Sequence, residues 1–394
     1  MLWLLKRRGL DVAVLTCEAA RPSFVSEIEK LGLSVYKAPY RIVKRYPDMI
    51  VQKELVQSCD VVWISDTEYL VAPRVKRIDR TIPVIAHIRS ATLVCPESHA
   101  FYGHREMCMT KCSTSRIIRC KQLSVKWLGD RHILGAHRMR AYWLLDYVKA
   151  PADFISWPMR DMRGIAGSID GFIALSRWTK DLVQRHFSEL EGVPIQVIPN
   201  PIVAPERGFP RQTAGDGMRI LYASGAFPEK GPHIAICAAR ELLNRGHREF
   251  LLTMLGVKGI AWIEHLVREL GMEKNIEMLP RLKREEVLTF MANSNIVLMP
   301  SLAGEAFGRV AAEANIVGTP AIVSTAGGLP DVVVDNVTGL VTQPSPQAFA
   351  ESMVEGLARD WDRERIMQTT LKRFDPERIM SEFVHFLETF VSDK

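Results

Sequence analysis

The chain has 394 residues, 47% hydrophobic and 24% charged, with a net charge of +6. That length favours two domains, and the composition is a soluble globular protein's, not that of a disordered or fibrous chain. Its apolar runs are interrupted by charge and fall far short of the ~20 residues of a membrane-spanning helix. In the opening MLWLLKRRGLDVAVLT the charges follow the apolar run, unlike those of a secretory signal.

Charge is distributed unevenly along the chain. Residues 1–200 carry 30 Lys and Arg against 20 Asp and Glu, whereas residues 201–394 carry 21 against 25. The basic excess concentrates over 105–149, where ten basic side chains meet three acidic ones. Such a face suits an anionic membrane surface, a phosphorylated acceptor or simple solvation. No nucleic-acid motif accompanies it.

In chain order, a helix is predicted over 2–8, then strands over 12–16, 35–38, 61–65, 83–87, 172–176 and 196–199. These strands are expected to complete one sheet. The segment 90–158 reads as an insertion rich in Cys, Arg, His and Trp. Residues 201–217 hold Pro201, Pro205, Pro210, Gly208, Gly215 and Gly217 and read as a linker.

The second half alternates more regularly. Strands are predicted over 218–223, 250–256, 275–279 and 296–300, with helices over 233–245, 260–270 and 284–293 and a turn over 224–231. Short apolar strands alternating with helices imply a parallel, doubly wound sheet. Ligands in such sheets bind beyond the carboxyl ends of the strands. The turns after Ala223, Leu279 and Pro300 all lie there, and so converge on one crevice.

The most informative string is GEAFGRVAAEANIVGTPAIVSTAGGLPDVVVDNVTGLV, residues 304–341. It sets Glu305 and Glu313 eight positions apart, on a glycine-containing loop that runs into a helix. Carboxylates accept hydrogen bonds from sugar hydroxyls, and exposed N–H groups at a helix start bind phosphate. This string resembles the donor-binding block of the retaining glycosyltransferases of family four. The resemblance extends from about residue 6 to about residue 390 and is strongest over 218–341.

The resemblance implies roles for particular residues. Glu305 would face hydroxyls of the donor sugar and act in catalysis, and Glu313 the ribose of the nucleotide. Backbone N–H groups around Ala306, Phe307, Gly308 and Arg309 would meet the diphosphate. Residues 224–231, SGAFPEKG, resemble the family's phosphate-binding turn, with Lys230 as the phosphate-binding lysine. The family's arginine in that turn is replaced by Gly225, and Arg309 or Arg281 are candidate substitutes. Arg281 and Leu282 match the region that contacts the base. His87, at the end of the strand in PVIAHIRS, matches a histidine close to the reacting sugar carbon, with Arg89 beside it. The strand and glycine-rich loop that open the family's fold are missing here or shortened to residues 2–5.

Cys95, Cys108, Cys112 and Cys120 cluster without any C-x2-C pair, so zinc-ribbon and iron–sulfur spacings are not matched. A structural metal with help from His99 or His104, disulfides, and free thiols all remain open. The stretch 121–149 combines Lys, Arg and His with Trp127, Tyr142, Trp143 and Tyr147. It suits either a membrane interface and lipid-linked acceptor or a packed amphipathic helix.

The expected fold is therefore α/β, GT-B, with two Rossmann-like doubly wound domains facing each other across a cleft. Residues 1–200 form the acceptor side, 218–375 the nucleotide-sugar side, and 376–394 a C-terminal helix packing back toward the first domain. The expected activity moves a sugar from a nucleotide diphosphate sugar to a glycan or lipid-linked acceptor, with retention of anomeric configuration. No cofactor, catalytic metal or nucleic acid is expected. The expected location is the cytoplasm, with peripheral contact at the cytoplasmic membrane face allowed. The alternative is a catalytically degenerate sugar-nucleotide-binding or scaffold protein of the same fold.

Overall fold

The structure is a computed structural model that describes residues 2–17, 26, 29–30, 33–38, 53–65, 69, 71–91, 94–95, 101–102, 106–107, 113, 115–121, 123, 165, 167–205, 208–209 and 217–391. Cys108, Cys112, His99, His104 and nearly all of the basic stretch 121–149 lie outside the described residues, so the expectations placed on them do too.

Six strands of the second half form one parallel sheet. They are β9 (Met218–Tyr222), β10 (Phe250–Leu255), β11 (Ile276–Leu279), β12 (Ile296–Met299), β13 (Ala321–Ser324) and β14 (Gly339–Thr342). Their order across the sheet is β11-β10-β9-β12-β13-β14. The chain moves outward from β9 to β11, then returns to the other side of β9. A crevice is left beyond the carboxyl ends of β9 and β12, where the order reverses. Strand β12 is Ile-Val-Leu-Met and buried at every position, as a parallel strand covered on both faces must be. The predicted strands and helices of this half lie within one or two residues of their expected bounds.

The first half holds β1 (Ala13–Cys17), β2 (Ser34–Ala38), β3 (Val62–Ser65), β4 (Val84–Ile88), the short antiparallel pair β5 (Phe101–Tyr102) and β6 (Glu106–Met107), β7 (Gly171–Ala174) and β8 (Ile195–Val197). The strands expected in one sheet form two ladders among the described residues. Strands β1 and β2 pair with each other, and β3-β4-β7-β8 make a four-stranded parallel sheet. Strands β4 and β7 are buried at every position.

Three helices close the chain: Pro346–Ala358, Arg363–Arg373 and Pro376–Glu388. Each begins after a side-chain cap, Ser345, Asp362 and Asp375 respectively, which satisfies an otherwise unpaired helix-start N–H. The last helix carries Ile379, Met380, Phe383 and Phe386 on its buried face. Phe383 stands edge-on to Trp63 of β3, with ring centroids 5.2 Å apart. Residue Phe390, just beyond this helix, packs so closely on Gly171 of β7 that a side chain there would collide with its ring. One apolar core joins Leu5, Ile85, Ile173 and Ile198 of the first half to Leu221, Val297, Phe307 and Phe383 of the second. A cavity of about 1070 Å³ lies at the opposite, amino ends of β9 and β10, lined in part by Met218, Arg248 and Phe250, and is separate from the crevice.

Candidate active site

The loop after β9 is shaped from below by Tyr222. Its fully buried hydroxyl donates to the Gly225 carbonyl at 2.6 Å and to the Lys230 carbonyl at 3.3 Å, tying both arms of the turn. Burial, and then the nearby charges of Glu305 and Glu229, raise its pKa well above the usual phenol value, so it stays a donor. A single 3₁₀ turn, Pro228–Lys230, ends at Gly231 with φ +73°. A Cβ at Gly231 would meet the Pro300 carbonyl, so only glycine lets this turn lie against the end of β12. The Leu302 and Ala303 N–H groups donate to the Glu229 carbonyl at 2.8 and 3.3 Å, joining the two loops that border the crevice.

These contacts bring Lys230 to Glu305. The ammonium donates to Glu305 Oε1 at 2.7 Å. The Ser301 hydroxyl donates to the same oxygen at 2.9 Å. Ser301 is fully buried, and its own carbonyl accepts from Ser324 Oγ at 2.6 Å. The Glu305 backbone is fixed separately, by a parallel bridge to Gly327 and by the Gly328 N–H, 2.6 Å from its carbonyl. Glu305 is thus held both by its side chain and by its main chain.

Beyond Glu305 the chain passes Ala306 and buried Phe307, whose ring stands edge-on to Phe374 at 5.2 Å. It then enters the helix Arg309–Ile316 through Gly308, with φ +103°. This backbone leaves the helix start without a side-chain cap. One turn into the helix, Glu313 is buried, with a side-chain exposure of 12%. Its Oε1 accepts from Arg284 Nε at 3.0 Å and from Arg309 Nε at 3.2 Å.

The first half reaches this loop directly. Thr179 Oγ1, in the first turn of the helix Arg177–His186, donates to the Ala306 carbonyl at 3.3 Å. The Arg177 N–H and guanidinium both hold the Asp331 carboxylate, at 2.8 Å each. The half-buried Arg373 donates through its two Nη groups to the Val332 and Asp331 carbonyls, at 2.7 Å each.

The structure therefore brings Lys230, Glu305, Phe307, Gly308, Arg309 and Glu313 together. Arg281 and Leu282 lie in the turn after β11, with Arg281 exposed. His87 is elsewhere. The sequence places it at a strand end facing the crevice, but its side chain is enclosed, with an exposure of 1%. Its ring lies 5.7 Å from that of Trp63 and 6.5 Å from that of Phe383, because the helix Pro376–Glu388 covers this end of the first sheet. Among the described residues neither ring nitrogen has a hydrogen-bond partner. Burial, reinforced by Arg89, lowers its pKa to about 3. Arg89 itself is exposed beyond the strand.

Sequence reasoning passed over Ser301, Arg284 and Thr179. Ser301 precedes Glu305 by four positions on an irregular loop, where no periodicity links them. Arg284 and Thr179 meet the block from 29 and 127 positions away. The one local signal was Arg284 at the start of a predicted helix beside a predicted base-contact turn.

Residues 208–373 match the family model described as Glycosyl transferases group 1. No curated protein matches the chain. Among solved structures it is similar to the Anabaena protein HepE in complex with UDP and glucose, at 18% identity and a TM-score of 0.62, over 98% of this chain and 94% of that one. It is similar to a glycosyltransferase from Rickettsia africae, at 14% identity and a TM-score of 0.68, over 100% and 93%. It is also similar to sucrose-phosphate synthase from Thermosynechococcus elongatus, at 15% identity and a TM-score of 0.58, over 91% and 82%. At these identities the likeness is one of fold, the GT-B arrangement of two Rossmann-like domains.

Proposed function

We propose that this chain, a glycosyltransferase of group 1 with the GT-B fold, moves a sugar from a nucleotide diphosphate donor to a glycan or lipid-linked acceptor with retention of anomeric configuration. The observation that carries this reading is the junction of Lys230, Ser301 and Glu305 at the reversal of strand order. A cation and a fixed carboxylate there serve the two ends of the bond to be broken. Glu305 accepts hydrogen bonds from donor-sugar hydroxyls, and Glu313 from the ribose. The N–H groups around Phe307, Gly308 and Arg309 face the diphosphate, and Arg281 and Leu282 border the base.

As the glycosidic C–O bond breaks, the departing diphosphate gains negative charge, and Lys230 offsets it. The acceptor hydroxyl attacks the same face of the sugar, and its proton passes to the departing phosphate oxygen. No enzyme nucleophile is assigned. Catalysis rests on positioning and fixed charge, with no catalytic metal required. HepE has been solved with UDP and glucose, which makes UDP-glucose a first donor to assay. No helix among the described residues is long and apolar enough to cross a membrane, and a cytoplasmic place with peripheral membrane contact is proposed.

The two glutamates separate experimentally. Glu305→Gln is expected to lower transfer strongly while leaving affinity for the free nucleoside unchanged, because Glu305 touches only the sugar. Glu313→Ala is expected to weaken nucleoside binding by about tenfold, the worth of one or two ordinary hydrogen bonds. Calorimetric titration of the nucleoside and a transfer assay read both. Equal loss of nucleoside affinity in the two variants overturns the assignment. Nucleotide binding without any turnover of sugar would instead favour the non-catalytic alternative.

A further inference from the structure

Glu313 is one buried carboxylate held by two guanidinium groups, and a single cation would neutralise it. Both arginines reach the same oxygen, Oε1, and both do so through Nε. The two terminal Nη groups of each fork have no other hydrogen-bond partner among the described residues. Their side chains are 52% and 66% exposed, so the forks extend into solvent while their stems are anchored. The remaining charge is a positive one, carried on donors with the planar geometry that matches a phosphate.

The two arginines come from different loops. Arg309 directly follows Gly308 at the start of its helix, and Arg284 opens the helix Arg284–Ala292 after the turn that leaves β11. With Glu313 between them the two guanidinium groups leave a net charge of +1, which a second anion can offset. Lys230 is not part of this pair, since its ammonium donates to Glu305 and not to Glu313.

We propose that Arg284 and Arg309 together bind the phosphate adjoining the ribose of the donor nucleotide, with Glu313 as their shared anchor. This rests on the reading of the crevice as a nucleotide-sugar site. Lys230 then serves the outer phosphate, the one that departs with the broken bond. The arginine pair takes over the cationic role that Gly225 cannot supply from the neighbouring turn.

The test is a calorimetric titration of nucleoside, nucleoside 5′-monophosphate and nucleoside diphosphate. It uses whichever of the uridine, guanosine and adenosine series the wild-type chain binds. Arg284→Ala and Arg309→Ala are each expected to reduce the gain in affinity from nucleoside to monophosphate by about tenfold, the scale of one charge-assisted hydrogen bond. Lys230→Ala is expected to reduce only the gain from monophosphate to diphosphate. Arg309→Lys is expected to keep part of the first gain. Both arginines are half-exposed, and an unchanged unfolding temperature in each variant checks that the fold is kept. Equal loss for nucleoside and monophosphate overturns the proposal, since the arginines then only orient Glu313. Absence of binding by the wild-type chain in all three series overturns the nucleotide-sugar reading itself.

Discussion

Lys230→Ala slows sugar transfer by about 10²–10³-fold, the usual cost of removing one fixed charge or donor aimed at charge developing in a transition state. The ammonium group is pre-placed. The turn that carries it is tied by Tyr222 from below and by the Glu229 carbonyl to the next loop. It donates to Glu305 Oε1, so an arriving diphosphate competes with a carboxylate for it. Two measurable effects follow. Transfer falls in the alanine variant, and diphosphate affinity falls by less than transfer, because part of the lysine's binding energy is spent leaving Glu305. A Lys230→Ala enzyme with unchanged transfer rates would place the phosphate site elsewhere.

Acidification from pH 7 to pH 4 removes roughly 3 kcal/mol of stability through His87 alone, at about 1.4 kcal/mol per unit of pKa difference. The imidazole has no hydrogen-bond partner for either nitrogen among the described residues and is packed against Trp63 and Phe383. Its folded pKa is about 3 against an ordinary value of 6.5. The unfolded chain therefore binds a proton that the folded chain refuses between those values. The stabilising contribution is full above pH 6.5 and is lost as pH falls toward 3. His87→Phe keeps a ring between the same aromatic groups and removes the proton site. Denaturant unfolding at pH 7 and pH 4 is expected to show a smaller acid loss in this variant than in the wild-type chain. Identical acid losses would mean that His87 gains a partner or solvent in the folded state. All other groups are common to both proteins and cancel from the difference.

Most of the second half was legible because its physics is local. Runs such as MRILY and IVLM, bounded by turn residues and separated by helical patterns, dictate parallel strands buried on both faces. Lys230 and Glu305 were legible because they stand at strand-end turns, and Glu313 because it follows Glu305 in one ordered string that enters the helix Arg309–Ile316. The side chains that hold them were not. Ser301, Thr179 and Arg284 act across loops and across domains, and no spacing encodes such meetings. His87 shows the limit in the other direction. Its strand was read correctly, but nothing in residues 83–90 announces that Phe383, nearly 300 positions later, covers it. In the first half the regular strands were legible, whereas their division into a two-stranded and a four-stranded ladder depends on long-range pairing.

The central claim is that the crevice beyond β9 and β12 holds a nucleoside diphosphate sugar. Its most direct measurement is the unfolding temperature of the wild-type chain and of a Lys230→Ala, Glu313→Ala double variant, with UDP, GDP, ADP and their sugars. A ligand at 100 times its dissociation constant stabilises the folded chain by about 2.7 kcal/mol. One base series is expected to raise the wild-type midpoint by several degrees and to leave the double variant unmoved. No shift with any nucleotide, or an equal shift in both proteins, would contradict the claim.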